Sequence, residues 1–275
     1  MHHDHRISLR GHRFHYTEWG DPAAPPIVML HGLTGHARTW DDEALARAVR
    51  HRVLALDQRG HGDSDPARDG DYATATLAED LSAFADALGL MRFGVVALSM
   101  GGRVAIAYAG THPARIDRLV IVDIGPDIAP AGRARVARMI AGSPERFATE
   151  EQALAYVRAS NPRYTEALLE RRVRHGLRRL PDGGLAWKYD PAIREAMRTG
   201  TWRDSIDLWP LLAKITCPTL IVRGAESDVL SPETAKRMLE ALPGARLVEV
   251  PEAGHTVPGD QPAAFQALLR EFWEI

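Results

Sequence analysis

The chain has 275 residues, of which 45% are hydrophobic and 25% charged, a composition typical of a folded protein with a sizeable apolar core. Its formal net charge is −2, so we expect neither nucleic acid nor an anionic membrane as a partner. The chain has one cysteine, Cys217, which excludes an intrachain disulfide; we expect it to be buried and chemically inert.

The amino-terminal stretch from Met1 to Arg10 is polar and rich in histidine. It lacks the apolar segment of a signal peptide, and no run in the chain approaches the roughly 18 apolar residues of a membrane span. We therefore expect a cytoplasmic protein without a membrane segment. We also expect His2, His3 and His5 to lie in a frayed, solvated terminus rather than in a metal site.

Short apolar runs alternate with helical patterns along most of the chain. Ile7 to Arg10 and Arg13 to Trp19 predict a leading hairpin. The later predicted strands are Ile27 to Leu30, Val53 to Leu56, Phe93 to Leu98, Leu119 to Ile124, Thr219 to Val222 and Arg246 to Val250. The predicted helices are Arg38 to Val49, Thr76 to Leu88, Met100 to Thr111, Pro232 to Leu242 and Pro262 to Trp273. This order predicts an α/β fold with a doubly wound, mostly parallel sheet of eight strands.

The alternation stops between Pro126 and Ser205, where arginine-rich helical patterns are broken at Gly142 to Pro144, Asn161 to Pro162 and Pro181 to Gly184. No strand pattern stands out, so this stretch predicts a helical insertion. It holds 15 basic and 10 acidic residues. We interpret that excess as solvated helix faces rather than as a surface that attracts anions.

A candidate nucleophile lies where the strand Phe93 to Leu98 ends. Ser99 stands between this strand and the next helix, and Gly101 and Gly102 allow the two elements to approach closely. The first glycine of the usual G-x-S-x-G turn is Ala97 here, a change of one methyl group. The turn predicts an exposed serine hydroxyl at the strand tip.

A serine nucleophile needs a base, and the base needs a group that fixes its tautomer. His255 follows the last predicted strand, and the carboxyl ends of parallel strands share one edge of a sheet, so it can meet Ser99. Asp228, after the penultimate strand, is the preferred acid. Asp123, at the end of the strand that follows the serine helix, is the alternative.

The oxyanion of an acyl-transfer intermediate needs preorganised donors. The backbone N–H of Met100, directly after the nucleophile, is one candidate. The N–H of Leu33, in the glycine-containing loop after the first central strand, is the other. We expect His31 in this loop to make structural hydrogen bonds rather than to act as a base.

Together these residues resemble the α/β-hydrolase family over nearly the whole chain. The matching landmarks are His31-Gly32, the run from Asp57 to Ser64, the Ser99 turn, Asp228 and Gly254-His255. The resemblance implies a hydrolase core at 1–125 and 206–275 with a helical lid at 126–205. It also implies Ser99 as nucleophile, His255 as general base and acid, Asp228 as its partner, and the Leu33 and Met100 amides as the oxyanion hole, with Asp57 to Ser64 as a structural loop.

We therefore expect a serine hydrolase that cleaves a small carboxylic ester or a lactone through an acyl-enzyme, without a metal or organic cofactor. Related scaffolds leave carbon–carbon bond hydrolysis of ring-cleavage products or perhydrolysis as alternatives. A ligand-binding, receptor-like protein with slow turnover is the non-enzyme alternative. The sequence does not indicate an oligomeric state. The candidate walls of the substrate pocket are Trp40, Trp187, Tyr189, Trp202 and Val229.

Overall fold

Eight strands form one mixed sheet in the computed structural model, which describes residues 2–274. The strands in chain order are β1 (His2–Leu9), β2 (His12–Trp19), β3 (Pro26–Leu30), β4 (Arg52–Leu56), β5 (Phe93–Leu98), β6 (Ile116–Val122), β7 (Leu177–Arg179), β8 (Leu185–Trp187), β9 (Thr219–Gly224) and β10 (Arg246–Val250). The sheet order is β1-β2-β4-β3-β5-β6-β9-β10, and β7 pairs with β8 separately. From β4 to β10 every neighbouring pair is parallel, which confirms the predicted sheet.

The amino-terminal hairpin is longer than predicted. β1 begins at His2 rather than Ile7, and it pairs antiparallel with β2 from His2 opposite Trp19 to Leu9 opposite His12. His2, His3 and His5 therefore lie in a strand, and the expectation of a frayed terminus is wrong. The reason is the length of β2, which offers a complete row of backbone partners to this polar stretch.

Helices cover both faces of the sheet. They are α1 (Asp41–Arg47), α2 (Thr74–Ala87), α3 (Met100–Thr111), α4 (Pro130–Ala141), α5 (Glu150–Ser160), α6 (Glu166–Gly176), α7 (Pro191–Thr199), α8 (Trp209–Leu212), α9 (Pro232–Ala241), α10 (Val257–Asp260) and α11 (Pro262–Glu274). Within residues 2–274, none is both long and apolar enough to cross a membrane.

The side chains of the central strands alternate between two apolar clusters. In β3, Val28 and Leu30 belong to the cluster that contains residues of α2, α3 and α9, whereas Ile27 and Met29 belong to the cluster that contains residues of α1 and α11. All four are at most 1% exposed. Because successive residues of a strand point to opposite faces, a strand between two helical layers must be apolar at every position.

The chain between β6 and α8, called the insertion below, adds no strand to the eight-stranded sheet. It contributes most of a third apolar cluster, with Phe147, Val157 and Leu169 among the buried members. The expectation that it lacks strands is wrong. β7 and β8 form a short antiparallel pair joined through Gly183, whose φ is +88°, and the Leu180 N–H donates to the Gly184 carbonyl at 2.7 Å. The glycine-containing break at 181–184 is thus a hairpin turn rather than a gap between helices. The assignment of residues 126–205 as a separate lid domain stays a prediction.

Candidate active site

Ser99 lies on a sharp turn between β5 and α3. Its backbone has φ 54° and ψ −117°, a positive φ that is strained for a residue with a side chain. The turn is tight: a Cβ on Gly101 would lie 2.5 Å from the Leu30 carbonyl oxygen, and one on Gly102 would lie 2.4 Å from a methyl of Ile124. Ala97 is fully buried in the core, so its extra methyl is accommodated.

His255 reaches Ser99 from the loop between β10 and α10. Its Nε2 lies 2.9 Å from the Ser99 Oγ, within hydrogen-bond distance, and its side chain is 13% exposed. The structure therefore brings together the two residues that the sequence singled out, at the carboxyl edge of the sheet.

The acid beside His255 is Asp123, not Asp228. Asp123 Oδ2 lies 2.8 Å from His255 Nδ1 and also accepts a hydrogen bond from the Ser227 hydroxyl. Asp123 Oδ1 accepts from the Gly224 N–H at 3.0 Å. The residue is completely buried, so these three donors replace the water that a carboxylate would otherwise bind.

Asp228 instead pairs with Arg135 of α4. The Arg135 Nε and Nη2 donate to its two carboxylate oxygens, each at 2.7 Å. This hydrogen-bonded arginine lowers the pKa of the Asp228 carboxyl. The preference for Asp228 as the His255 partner is therefore wrong, and the alternative, Asp123, occupies that position.

The strand order explains this outcome. β6 lies directly between β5 and β9, and Asp123 follows its last residue, so its short side chain is already beside the serine turn. Asp123 has φ 48°, a conformation that aspartate tolerates better than most residues. Asp228 lies farther from the end of its strand, on a loop within reach of the insertion.

A cavity of about 460 Å³ lies between this sheet edge and the insertion. Ser99 and His255 line it from the sheet side, together with Leu33 of the β3–α1 loop. That loop packs against Ser99, since a Cβ on Gly32 would lie 3.2 Å from the Ser99 Cβ. Met100 is the first residue of α3, where backbone N–H groups lack a partner within the helix.

Two of the five predicted wall residues line the cavity, namely Trp187 and Tyr189. The other three do not, and their assignment is wrong. Trp40 is buried in a sheet-facing cluster 6.4 Å from the Phe265 ring, and Val229 is buried in the opposite cluster. Trp202 stacks on Tyr72, with ring centroids 6.2 Å apart. Their apolar surface is used in packing, which a sequence pattern does not distinguish from ligand contact.

His31 makes the structural hydrogen bonds expected of it. It is completely buried, and its Nδ1 lies 2.8 Å from the Gly32 carbonyl oxygen. Its Nε2 accepts the backbone N–H of Gln58 at 3.1 Å. The ring therefore connects the loop after β3 to the loop after β4, and its burial lowers the pKa of His31.

A cluster with metal-ligand chemistry is formed by His15 of β2 together with Asp57 and Asp63 of the loop after β4. Asp57 already accepts hydrogen bonds from the Ala37 N–H at 2.5 Å, the His15 ring at 2.7 Å and the Asp63 N–H at 2.9 Å. Burial by itself would raise the pKa of Asp57, but the His15 hydrogen bond and the nearby histidines lower it to about 2. Both carboxylate oxygens of Asp57 are used in these bonds, so Asp57 belongs to a structural hydrogen-bond network.

Comparison with known proteins agrees with this architecture. Residues 25–262 match the family model of the alpha/beta hydrolase fold. The chain belongs to the α/β-hydrolase family. It is 32% identical to a 3-hydroxybutyrate-oligomer hydrolase of Cupriavidus necator, over 95% of this chain and 93% of that protein. It is 32% identical to an esterase of Mycobacterium tuberculosis, over 92% of this chain and 83% of that protein. A crystal structure of an alpha/beta hydrolase from Novosphingobium aromaticivorans superimposes with a TM-score of 0.87 at 32% identity, covering 100% of this chain and 99% of the other.

Sequence reasoning missed several residues around the site of this α/β hydrolase. Ser227, next to Asp228, donates to Asp123 and accepts the Val229 N–H at 3.1 Å. Arg135 and Arg172 line the cavity from the insertion. The sequence predicted helices in this stretch. Which arginines of those helices point toward the cavity depends on how the insertion packs on the sheet.

Proposed function

We propose that this α/β hydrolase cleaves a carboxylic ester or a lactone through an acyl-enzyme on Ser99. The observation that carries the proposal is the continuous chain of contacts from Ser99 Oγ to His255 Nε2 at 2.9 Å and from His255 Nδ1 to Asp123 at 2.8 Å. These contacts supply the nucleophile, the base and the orienting acid that acyl transfer by a serine requires.

In the first half-reaction, Ser99 Oγ attacks the carbonyl carbon while His255 Nε2 takes the hydroxyl proton. The Asp123 carboxylate holds the His255 Nδ1–H and stabilises the imidazolium. The Leu33 and Met100 N–H groups are proposed to donate to the oxyanion, because they flank the nucleophile from the loop and from the start of the helix. When the ester bond breaks, His255 returns its proton to the leaving alkoxide.

In the second half-reaction, water replaces the alcohol. His255 takes a proton from the water as it attacks the acyl carbonyl, and then returns that proton to Ser99 Oγ. Cleavage of a lactone follows the same steps, except that the released hydroxyl stays attached to the acyl group. The names of two relatives support an ester substrate: one is an esterase, and the other hydrolyses 3-hydroxybutyrate oligomers, in which a hydroxy acid is joined by ester bonds.

Labelling with diisopropyl fluorophosphate and turnover of p-nitrophenyl butyrate test the proposal together. We expect the reagent to label Ser99 and the Ser99→Ala variant to lose about 10⁶-fold in kcat, as for removal of a serine nucleophile. The exposed Ser8 of β1 provides a matched control, since Ser8→Ala should retain labelling and turnover.

Labelling at another residue, or full turnover by folded Ser99→Ala, would overturn the proposal. Faster turnover of a vinylogous 1,5-diketone than of the ester would favour carbon–carbon bond hydrolysis on the same three residues.

A further inference from the structure

Three arginines line the cavity, and they differ in their partners. Arg135 pairs with Asp228, and Arg163 pairs with Glu226. Arg172 of α6 forms no salt bridge within residues 2–274; its Nη2 donates to the Thr34 hydroxyl at 3.4 Å. The half-buried guanidinium therefore brings a positive charge to the cavity that no carboxylate of the described chain neutralises.

A buried donor without an acceptor lies beside Arg172. Trp187 lines the same cavity and is 7% exposed, and its indole Nε1 is buried without a hydrogen-bond partner in the part of the chain that the structure describes. The Arg172 guanidinium carbon lies 6.0 Å from the Trp187 ring centroid. An indole N–H only donates, as does a guanidinium, so an acceptor bound at this wall can pair with the Trp187 Nε1–H and with the guanidinium N–H groups of Arg172 that Thr34 does not use.

A carboxylate fits this pair of donors. It carries a negative charge and two oxygens that only accept hydrogen bonds, and arginine binds it more strongly than it binds a neutral carbonyl. The acidic side chains on the cavity wall are Glu226, Asp228 and Asp260. They do not oppose such a group at full charge, because each has an arginine nitrogen within 4.0 Å. The two donors belong to α6 and β8 of the insertion, opposite the nucleophile.

We propose that Arg172 and Trp187 bind a free carboxylate of the substrate, so that this hydrolase prefers esters that carry a second, ionised acid group. The proposal rests on the ester hydrolysis proposed above. If so, one of the basic residues between 126 and 205, Arg172, binds substrate. From the sequence alone, the excess of basic residues in this stretch indicates solvated helix faces.

Two matched pairs of substrates test the preference. For a carboxylate on the acyl side, mono-p-nitrophenyl adipate is compared with its methyl ester. For a carboxylate on the alcohol side, 3-(butyryloxy)butanoate is compared with 3-(butyryloxy)butanamide. In at least one pair we expect kcat/KM to favour the acid about 10- to 100-fold, the range of a charge-assisted hydrogen bond.

Variants test whether the preference for the acid substrate depends on Arg172 and Trp187. Arg172→Gln should remove most of the ratio between acid and neutral substrate, Arg172→Lys should keep part of it, and Trp187→Phe should reduce it severalfold. Arg174→Gln removes the same charge from an exposed position of α6 and should leave the ratio unchanged. The ratio of kcat/KM for the acid to kcat/KM for the neutral substrate is measured on protein whose folding is checked by circular dichroism. A general loss of folded protein lowers both values and leaves this ratio unchanged.

Equal rates within both pairs, or a preference that Arg172→Gln and Arg174→Gln reduce equally, would overturn the carboxylate site. Calorimetric binding of the same pairs to Ser99→Ala distinguishes this failure from failure of the proposed function. If wild-type protein hydrolyses no ester but Ser99→Ala binds the acids through Arg172, the site stands and the reaction is wrong. If esters are hydrolysed and neither acid is favoured in rate or binding, the reaction stands and the site is wrong.

Discussion

Two loops at the carboxyl edge of the sheet each hold an aspartate near His255, and their surroundings differ sharply. Asp123, directly after β6, is fully buried and accepts hydrogen bonds from His255, Ser227 and Gly224. Asp228, four residues beyond β9, has a side chain that is 36% exposed and paired with Arg135. The same residue type at the same edge thus contacts His255 in one loop and connects the core to Arg135 of α4 in the other.

The largest expected difference between the two loops is catalytic. Asp123→Asn should lower kcat on p-nitrophenyl butyrate by about 10⁴-fold, because an amide does not hold the His255 ring in the required tautomer and charge state. The measurement is steady-state kinetics on protein whose folding is checked by circular dichroism. If Asp123→Asn keeps activity and Asp228→Asn loses it, the assignment of the two loops is reversed.

Ser227 joins the two loops, and its removal should have a smaller effect. Ser227→Ala deletes one donor to the buried Asp123 carboxylate and should reduce kcat about tenfold, as for loss of one hydrogen bond to a charged group. Ser227→Thr keeps a hydroxyl and should restore most of the rate. Equal losses in the alanine and threonine variants would mean that packing, not the hydrogen bond to Asp123, matters at this position.

Asp228→Asn should change kcat by less than about threefold, because Asp228 does not contact the base. The free energy of unfolding should change by no more than about 1 kcal/mol, the usual range of an exposed ion pair. Urea denaturation and kinetics on the same preparation measure both effects. A drop in kcat as large as that expected for Asp123→Asn would contradict this prediction and would mean that Asp228 takes part in catalysis.

The smallest expected effect is the pH dependence of the Asp228–Arg135 pair. The hydrogen bond from Arg135 lowers the folded-state pKa of Asp228 below its ordinary value of 3.8. Its stabilisation is therefore present above pH 3.8 and is lost as the pH falls through the lowered pKa. The difference in unfolding free energy between wild type and Asp228→Asn, at most about 1 kcal/mol near neutral pH, should shrink as the solution is acidified below the ordinary pKa. Arg135→Gln should abolish that pH dependence; if the dependence persists in this variant, another group causes it.

Most of the fold follows from local sequence patterns. Fully apolar runs such as Phe93 to Leu98 become strands buried on both faces, and the α3 bounds agree with the helical pattern from Met100 to Thr111. The sequence patterns did not predict strands that form only because a neighbouring strand offers hydrogen-bond partners. β1 is a strand because β2 offers it backbone partners, and β7 and β8 are three-residue strands too short for a periodic signal.

The residues of the candidate site also fall into those that the sequence predicted and those that it did not. Ser99 and His255 were predictable because Ser99 directly follows the buried strand β5, His255 lies in the loop after β10, and parallel strands bring their carboxyl ends to one edge. The choice between Asp123 and Asp228 was not, because both follow strands of that edge. Trp187 and Trp40 are the same residue type, so the sequence does not distinguish them, yet of the two only Trp187 lines the cavity.

By itself, the sequence determined the alternation of strands and helices, the strained turn at Ser99 and the position of His255, because each depends on local residue type and on the order of elements along the chain. Only the tertiary structure decided which carboxylate meets His255, which arginines pair with a carboxylate and which buried donors lack an acceptor in the described part of the chain. Those outcomes depend on distances between residues far apart in the chain: β6 lies between β5 and β9, and the insertion brings Arg135 to Asp228 while leaving Arg172 without a salt bridge within residues 2–274.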